Sequence, residues 1–176
     1  MSVKETKSEE KYSIWLMPRG DIYAKLSEQI SKLSHQYSTP DFQPHITLIG
    51  NMVLTEEEAL IKASELSSRI MPFEVRFTKV ECLQNYFRSL FLRIEETEHI
   101  MDANMIARSL FNQELSTKYM PHLSLMYSNF DFRKKRDIIK SIPNISKLIF
   151  LVKSIHIFST NGEPQDWYRV REFDLG

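Results

Sequence analysis

Two five-residue segments of this chain repeat each other and carry a histidine and a hydroxyl residue at matching positions. Residues 44–48 read PHITL, and residues 121–125 read PHLSL. Their aliphatic content and their length favour two β-strands. Successive side chains of a strand point to opposite faces, so the histidine and the hydroxyl of each segment share one face. The aliphatic residues then point to the other face, where they can pack against a core.

The four polar residues of these segments, His45, Thr47, His122 and Ser124, suit a reaction at phosphorus. Imidazole titrates near neutral pH, so one histidine can take a proton from water while the other gives a proton to a leaving oxygen. The hydroxyl groups can donate hydrogen bonds to phosphate oxygens on which negative charge builds. The sequence does not decide which histidine is the acid and which is the base, because the two segments are nearly equivalent.

Two other interpretations of the histidine pair stay open. A histidine in a strand is often structural, and two histidines together could hold a zinc ion. A zinc site normally also uses Cys, Asp or Glu at ligand spacing, and neither segment has one beside it. We therefore expect no metal and no other cofactor. The other histidines, His35, His99 and His156, lie in no repeated segment and are expected to be structural.

The elements around the two segments repeat with the same spacing of 77 residues, from position 45 to position 122. Hydrophobic periodicity predicts strand, helix, strand, helix, strand, twice over, followed by a last strand. The predicted strands cover residues 12–17, 44–50, 73–83, 90–94, 121–127, 148–158 and 167–173, and the predicted helices cover residues 21–36, 55–70, 97–115 and 131–142.

This order predicts an α+β fold with two pseudo-symmetric lobes around a central cleft. Each lobe is expected to have an antiparallel sheet and flanking helices, and the two histidine segments are expected to face each other across the cleft. Residues 1–11 are polar and charged and are interpreted as a disordered lead-in. Residues 12–176 then form a single bilobal domain with an internal repeat of about 12–83 and 89–158.

Composition narrows the classes of partner. Lys plus Arg equals Asp plus Glu, 23 each, so the chain lacks the basic excess typical of a general nucleic-acid binder. A basic run at residues 133–136 is expected to be the solvated face of a helix. The single cysteine, Cys82, and the missing apolar leader predict a reducing compartment, the cytoplasm. No segment predicts a membrane span, and nothing indicates a protein partner.

The paired H-x-[ST]-L motifs resemble the signature of the two-histidine (2H) phosphoesterase superfamily. Its members include RNA 2′,3′-cyclic phosphodiesterases, the 2′-5′ RNA ligases and a U6-RNA-processing phosphodiesterase. Closer similarity is to the plant and yeast cyclic phosphodiesterases. The similar segments are residues 119–127 (YMPHLSLMY), residues 12–15 (YSIW) with Pro18, residues 86–87 (YF) and Trp167.

The resemblance implies metal-independent hydrolysis of ADP-ribose 1″,2″-cyclic phosphate and of nucleoside 2′,3′-cyclic phosphates. It also implies that Tyr127 lies at the phosphate site and that Trp15, Tyr86 and Phe87 lie near the nucleoside. Two other functions remain as alternatives: an RNA-end 2′,3′-cyclic phosphodiesterase, and a non-catalytic nucleotide-binding module. Long RNA is the less favoured partner, because the net charge is zero. Plant relatives carry several cysteines, so the single Cys82 is a departure from them.

Overall fold

A computed structural model describes residues 9–143 and 147–176 and has the mixed helix and strand content that the sequence predicts. The elements are β1 (Glu10–Leu16), α1 (Gly20–Tyr37), β2 (Ile46–Leu54), α2 (Glu56–Ser68), β3 (Phe73–Glu81), β4 (Leu90–Ile94), α3 (Glu98–Leu110), β5 (His122–Met126), α4 (Phe132–Ser141), β6 (Ile149–Val152), β7 (Ser154–Ser159), a 3₁₀ turn (Pro164–Asp166) and β8 (Tyr168–Asp174). Within the described residues, no helix is both long and apolar enough to cross a lipid bilayer.

The eight strands form one antiparallel sheet in the order β6-β3-β4-β5-β2-β1-β7-β8. Four strands lie on each side of the junction between β5 and β2, which is the arrangement that a pseudo-twofold relation requires. In the described part of the chain, β2 and β5 are joined by one residue pair, Ile46 with Leu123. The predicted α+β class with two antiparallel halves is confirmed, and the halves meet edge to edge at the two histidine segments.

Each sequence repeat places one strand in the other half of the sheet. β3 ends the first repeat, yet it pairs with β4 and β6 of the second repeat. β7 ends the second repeat, yet it pairs with β1 of the first. This exchange connects the halves by sheet hydrogen bonds, so neither repeat has a complete sheet of its own.

Most predicted boundaries agree with the structure to within a few residues, and three differences have a physical explanation. The predicted strand 148–158 is two strands, β6 and β7, because β6 pairs with β3 while β7 pairs with β1. The predicted helix 97–115 ends at Leu110, just before Asn112 takes a positive φ of 53°. Of the predicted N-terminal lead-in, Glu10 and Lys11 belong to β1, and residues 1–8 lie outside the described residues.

The basic run on α4 differs from its prediction at one position. Arg133, Lys134 and Arg136 are exposed, but Lys135 is buried at 1% relative exposure. Its Nζ donates a hydrogen bond of 2.8 Å to the carbonyl oxygen of Leu83. The run is therefore not wholly a solvated face, because one ammonium group anchors the segment between β3 and β4.

The backbone of β2 beyond its junction with β5 is satisfied by side chains. Asn104 Nδ2 on α3 donates to the carbonyl oxygen of Leu48 at 2.6 Å, and Gln113 Nε2 donates to that of Gly50 at 2.8 Å. The Tyr119 hydroxyl donates to the carbonyl oxygen of Thr47 at 3.0 Å. Buried carbonyl groups need such partners. These residues therefore support β2 beyond the single pair that joins it to β5, in addition to its pairing with β1.

We expect Asn104→Ala to lower the free energy of unfolding by about 1–3 kcal/mol, because the buried carbonyl of Leu48 loses its donor. Chemical denaturation monitored by circular dichroism measures the change. Met105→Ala is the matched control, since Met105 is the next residue of α3 and is half-exposed. Equal stability of the Asn104 and Met105 variants would show that the Asn104 hydrogen bond does not hold β2.

Candidate active site

The register between β2 and β5 brings the two histidine segments together. Continuing the Ile46–Leu123 pair by one residue in each direction places His45 opposite Ser124 and Thr47 opposite His122. Directly opposite residues share a face, and diagonal neighbours have their Cα atoms roughly 7–8 Å apart. The two histidines are therefore diagonal neighbours on one face of the sheet, and His122 is near enough to affect the pKa of His45.

Both imidazoles are anchored in the same way. His45 Nδ1 lies 2.7 Å from the carbonyl oxygen of Gln43, and His122 Nδ1 lies 2.8 Å from that of Met120. A carbonyl can only accept a hydrogen bond, so Nδ1 carries the proton in each ring. The neutral tautomer then has its lone pair on Nε2, the atom that can take a proton.

His45 is the more deeply enclosed of the two histidines. Its side chain is buried, and its ring stacks on Trp15 with centroids 3.6 Å apart and an angle of 11° between planes. Phe42 packs against it edge-on at 6.2 Å. The pKa of His45 is lowered to about 4, chiefly by burial and to a smaller extent by the nearby His122, although the hydrogen bond to Gln43 opposes this. The imidazole is therefore neutral at physiological pH in the unliganded protein.

His122 has a more open and more basic environment. It is half-buried, Phe91 packs against its ring at 5.3 Å, and Arg93 is its partner across the β4–β5 ladder. Burial lowers the pKa of His122, and the positive charges of Arg88 and Arg93 lower it further. The two histidines thus differ in surroundings although their segments are nearly equivalent in sequence.

The hydroxyl groups of the site differ in whether they already form a hydrogen bond. Ser124 Oγ donates to the carbonyl oxygen of Phe87 at 2.9 Å. Thr47 is half-buried, and its hydroxyl has no hydrogen-bond partner among the described residues. Tyr127 is buried and stacks on Phe42 with centroids 4.0 Å apart. Burial raises the pKa of Tyr127, so its hydroxyl stays protonated and can act as a donor.

The three aromatic residues expected near a nucleoside lie in different places. Trp15 is only 3% exposed and lies between His45 and Phe158, with centroids 3.8 Å from the latter. Phe87 is 52% exposed, and Tyr86 packs edge-on against it at 5.0 Å. Trp15 therefore packs against the ring of His45 and is almost closed to solvent, whereas the ring of Phe87 is exposed to solvent.

The segment that carries Tyr86 and Phe87 is tied down by its backbone. The carbonyl oxygens of Leu83, Tyr86 and Phe87 accept hydrogen bonds from Lys135, Ser128 and Ser124 respectively. These bonds fix the segment against β5 and α4, which places the Phe87 ring 5.3 Å from that of Tyr127.

Two further aromatic residues line the site and were not assigned a role from the sequence. Phe42 contacts His45 and Tyr127, and Trp167 lies 5.8 Å from Trp15 and 6.4 Å from Phe87. A cavity of about 380 Å³ has Trp15, Phe42 and Trp167 in its wall. Phe42 lies only three residues before His45, which is a signal of proximity, but no pattern singles it out from core phenylalanines.

Ligands for a metal ion are sparse in the described residues. No group of three or more His, Cys, Asp or Glu side chains there lies close enough to hold a metal ion. Cys82, the single cysteine, is half-buried and free.

This protein has an α+β fold with an antiparallel sheet, and the two strands with the H-x-[ST]-L motifs lie side by side at the centre of that sheet. This combination defines the class of 2H phosphoesterases. Within that class, the chain belongs to the family described as cyclic phosphodiesterase-like protein, whose model matches residues 11–175. The resemblance seen in the sequence is thereby confirmed, and the chain is a member of a hydrolase family.

Named relatives agree with this family. The chain is 26% identical over 126 residues to a cyclic phosphodiesterase of Arabidopsis thaliana, a match that covers 72% of this chain and 70% of that protein. It is 29% identical over 133 residues to a 2′,3′-cyclic-nucleotide 3′-phosphodiesterase of Phaeosphaeria nodorum, covering 65% of this chain and 67% of the relative.

Solved structures share the fold at low sequence identity. TT0787 of Thermus thermophilus superposes with a TM-score of 0.66 at 16% identity, covering 94% of this chain and 97% of the other. LigT of E. coli, in a complex with 3′-AMP, superposes with a TM-score of 0.65 at 10% identity, covering 96% and 99%. The likeness therefore extends over nearly the whole chain.

The buried neutral histidine predicts a loss of stability in acid. The pKa of His45 is about 4 when folded and 6.5 when unfolded, so the unfolded chain takes up the proton first as pH falls. Stability should be lost from about pH 6.5 downward through pH 4. His156, whose pKa burial also lowers to about 4, contributes in the same direction.

We expect His45→Phe, which keeps a ring against Trp15, to weaken this pH dependence by on the order of 1 kcal/mol between pH 7 and pH 5. Denaturant unfolding at both pH values measures the difference. The exposed His35 supplies the control variant His35→Gln, which should retain the wild-type dependence. An identical pH dependence in wild type and His45→Phe would contradict the burial of a neutral imidazole.

Proposed function

We propose that this protein hydrolyses ADP-ribose 1″,2″-cyclic phosphate, nucleoside 2′,3′-cyclic phosphates, or both, by two-histidine acid–base catalysis without a metal ion. The observation that carries the proposal is the pair of imidazoles at the β2–β5 junction. Each has Nδ1 held by a backbone carbonyl, which leaves Nε2 of both rings for proton transfer. Membership of the cyclic phosphodiesterase-like family supports the same reaction class.

The proposed reaction is an in-line displacement at phosphorus. One histidine takes a proton from water, and the water oxygen forms a bond to phosphorus. The bond from phosphorus to one ring ester oxygen breaks, and the other histidine gives that oxygen a proton. For a 2′,3′-cyclic nucleotide the 3′ oxygen leaves, so the product is the 2′-phosphate. Proton exchange with water returns both imidazoles to their starting states.

We assign the base to His45 and the acid to His122. Burial and stacking lower the pKa of His45 to about 4, whereas His122 is half-buried. The group with the lower pKa is the one that is unprotonated when its partner holds a proton. A bound phosphate anion raises the pKa of a neighbouring imidazole, which favours the protonated acid once substrate is present.

Hydroxyl donors surround the proposed phosphate position. Thr47 has an uncommitted hydroxyl on the same strand face as His45. Ser124 shares a face with His122, and it becomes a donor to phosphate once its hydroxyl turns away from the carbonyl oxygen of Phe87. Tyr127, kept protonated by burial, is the third donor. Such donors stabilise the non-bridging oxygens on which charge develops.

The nucleoside is proposed to occupy the cavity beside His45 that Trp15, Phe42 and Trp167 line, which we call the aromatic cavity. Trp15 lines this cavity, whereas Tyr86 and Phe87, the other contacts implied by the resemblance, lie outside its wall. Trp167 connects the two places, because it lines the cavity and its ring centroid lies 6.4 Å from that of Phe87. Aromatic rings in such a cavity can stack on a base. The cavity volume of about 380 Å³ is in the range of small-ligand sites.

Two alternatives give distinct outcomes in the same assay. An RNA-end phosphodiesterase would prefer an oligonucleotide with a 2′,3′-cyclic phosphate end, although the zero net charge disfavours a long basic track. A non-catalytic module would bind nucleotides without turnover.

The proposal is tested with three substrates in EDTA: ADP-ribose 1″,2″-cyclic phosphate, 2′,3′-cyclic AMP and a cyclic-phosphate-ended RNA. We expect turnover of at least one small substrate, with His45→Ala and His122→Ala each losing roughly 10²- to 10⁴-fold in kcat. The double variant should be little worse than either single one, because the pair acts as a unit. His35→Ala is the matched control and should keep full activity.

Activity that EDTA abolishes and zinc or magnesium restores would replace this mechanism with metal-ion catalysis. Full activity in both single histidine variants would remove the catalytic assignment. A marked preference for the RNA would favour the RNA-end alternative.

A substrate whose leaving group needs no proton distinguishes the acid from the base. In a 2′,3′-cyclic phosphate with sulfur at the 3′ bridging position, the thiolate leaves without a proton. We expect His122→Ala to lose less than roughly tenfold with this substrate, while His45→Ala keeps most of its 10²- to 10⁴-fold deficit. Release of the thiol is followed with a thiol reagent, and rescue of His45→Ala instead would exchange the two roles.

A further inference from the structure

A second cavity, of about 450 Å³, adjoins the proposed active site on the same face of the sheet. Its wall includes Arg19, Gln43, His156, Arg169 and Glu172, and we call it the arginine cavity. Gln43 also borders the aromatic cavity, and its carbonyl oxygen holds the ring of His45. The two cavities are therefore neighbours, separated by the residue that orients a proposed catalytic group.

Strand pairing shows that the arginine cavity faces the same side as the histidines. Trp15, which stacks on His45, pairs with His156 across β1 and β7. His156 in turn pairs with Glu172 across β7 and β8. Directly paired residues share a face, and β2 and β7 are two strand spacings apart, about 10 Å.

The charges of the arginine cavity leave a positive excess. Arg19 and Arg169 both form ion pairs with the carboxylate of Glu172, the latter at 3.4 Å. Ser154 Oγ donates a third contact to this carboxylate at 2.8 Å. One carboxylate thus faces two guanidinium groups, each of which remains about half-exposed. The start of α1 at Gly20 is next to Arg19, and a helix N-terminus adds positive potential.

His156 contributes an unused acceptor to the cavity. Ser154 Oγ gives its proton to Glu172 and accepts from Arg19 at 2.8 Å, so His156 Nε2, 3.2 Å away, is the donor to that oxygen. Nδ1 of the neutral ring is then an acceptor, and it is buried without a hydrogen-bond partner among the described residues. Glu172 Oε2 lies 3.8 Å from Nδ1, but a carboxylate can only accept and does not satisfy it. Leaving a buried polar atom unpaired is unfavourable, which points to a donor group supplied from the cavity.

We propose that the arginine cavity is a subsite for a diphosphate-linked portion of the substrate. Arg19 and Arg169 bind phosphate oxygens, and a sugar hydroxyl next to the phosphates donates to His156 Nδ1. The inference rests on the proposed function, and it selects between its two substrate classes. A ribose cyclic phosphate joined through a diphosphate to a nucleoside can reach the subsite, whereas a simple nucleoside 2′,3′-cyclic phosphate has no second anionic group.

Because the cavity holds charges of both signs, removing an arginine and removing the carboxylate should shift substrate preference in opposite directions. Arg169→Gln removes one cation and should lower the ratio of kcat/KM for ADP-ribose 1″,2″-cyclic phosphate to that for 2′,3′-cyclic AMP by roughly five- to tenfold. Glu172→Gln removes the competing carboxylate and should raise the same ratio. Arg171→Gln is the matched control, because Arg171 lies on the same strand, is exposed and pairs with Ile157 rather than with a cavity residue.

Opposite shifts in the Arg169 and Glu172 variants, with no shift in the Arg171 variant, are the expected result. Equal ratios in all four proteins, or shifts of the same sign in both cavity variants, would overturn the subsite. If wild type turns over neither substrate, the proposed function fails instead. Calorimetric titration of inorganic pyrophosphate into the same four proteins then decides the subsite, with the strongest binding expected for Glu172→Gln and the weakest for Arg169→Gln.

Discussion

The proposed active site depends on one backbone pairing, Ile46 with Leu123, at the junction of β2 and β5. This pair sets the register of two strands that come from different sequence repeats. A slip by one residue would turn the histidines and hydroxyls to the opposite face and expose the aliphatic residues that now pack in the core. Burial of Ile46, Leu48, Leu123 and Leu125 therefore fixes the chemistry as well as the packing.

A junction with so few strand hydrogen bonds needs other support, and the fold supplies it in two ways. The exchange of β3 and β7 ties each half of the sheet to the other repeat. Side chains of Asn104, Gln113 and Tyr119 then donate to carbonyl groups of β2 beyond its single pair with β5. The backbone of β2 is thus supported by side chains outside the sheet, so the histidines and hydroxyls of the cleft do not have to supply those hydrogen bonds.

The two histidine segments are nearly equivalent in sequence, but their histidines have different neighbours. Both imidazoles have the same tether, a hydrogen bond from Nδ1 to a carbonyl two residues earlier. His45, however, lies against Trp15 and Phe42, whereas His122 lies near Arg88 and Arg93. A symmetric pair of motifs thus becomes an unequal pair of titrating groups, which is what a reaction with one acid and one base requires.

The sequence by itself determined the strand at each histidine segment, the shared face of histidine and hydroxyl, and most helix and strand positions. These follow from periodicity and local chemistry, as the capping box of Thr55 and Glu58 shows at the start of α2. The tertiary structure decided which strands pair, and hence that 148–158 divides into β6 and β7 with different neighbours. It also decided that Trp15 lies behind His45, that Lys135 is buried, and that Arg19, Arg169 and His156 share a cavity. Those contacts join residues far apart in the chain, and no local pattern records them.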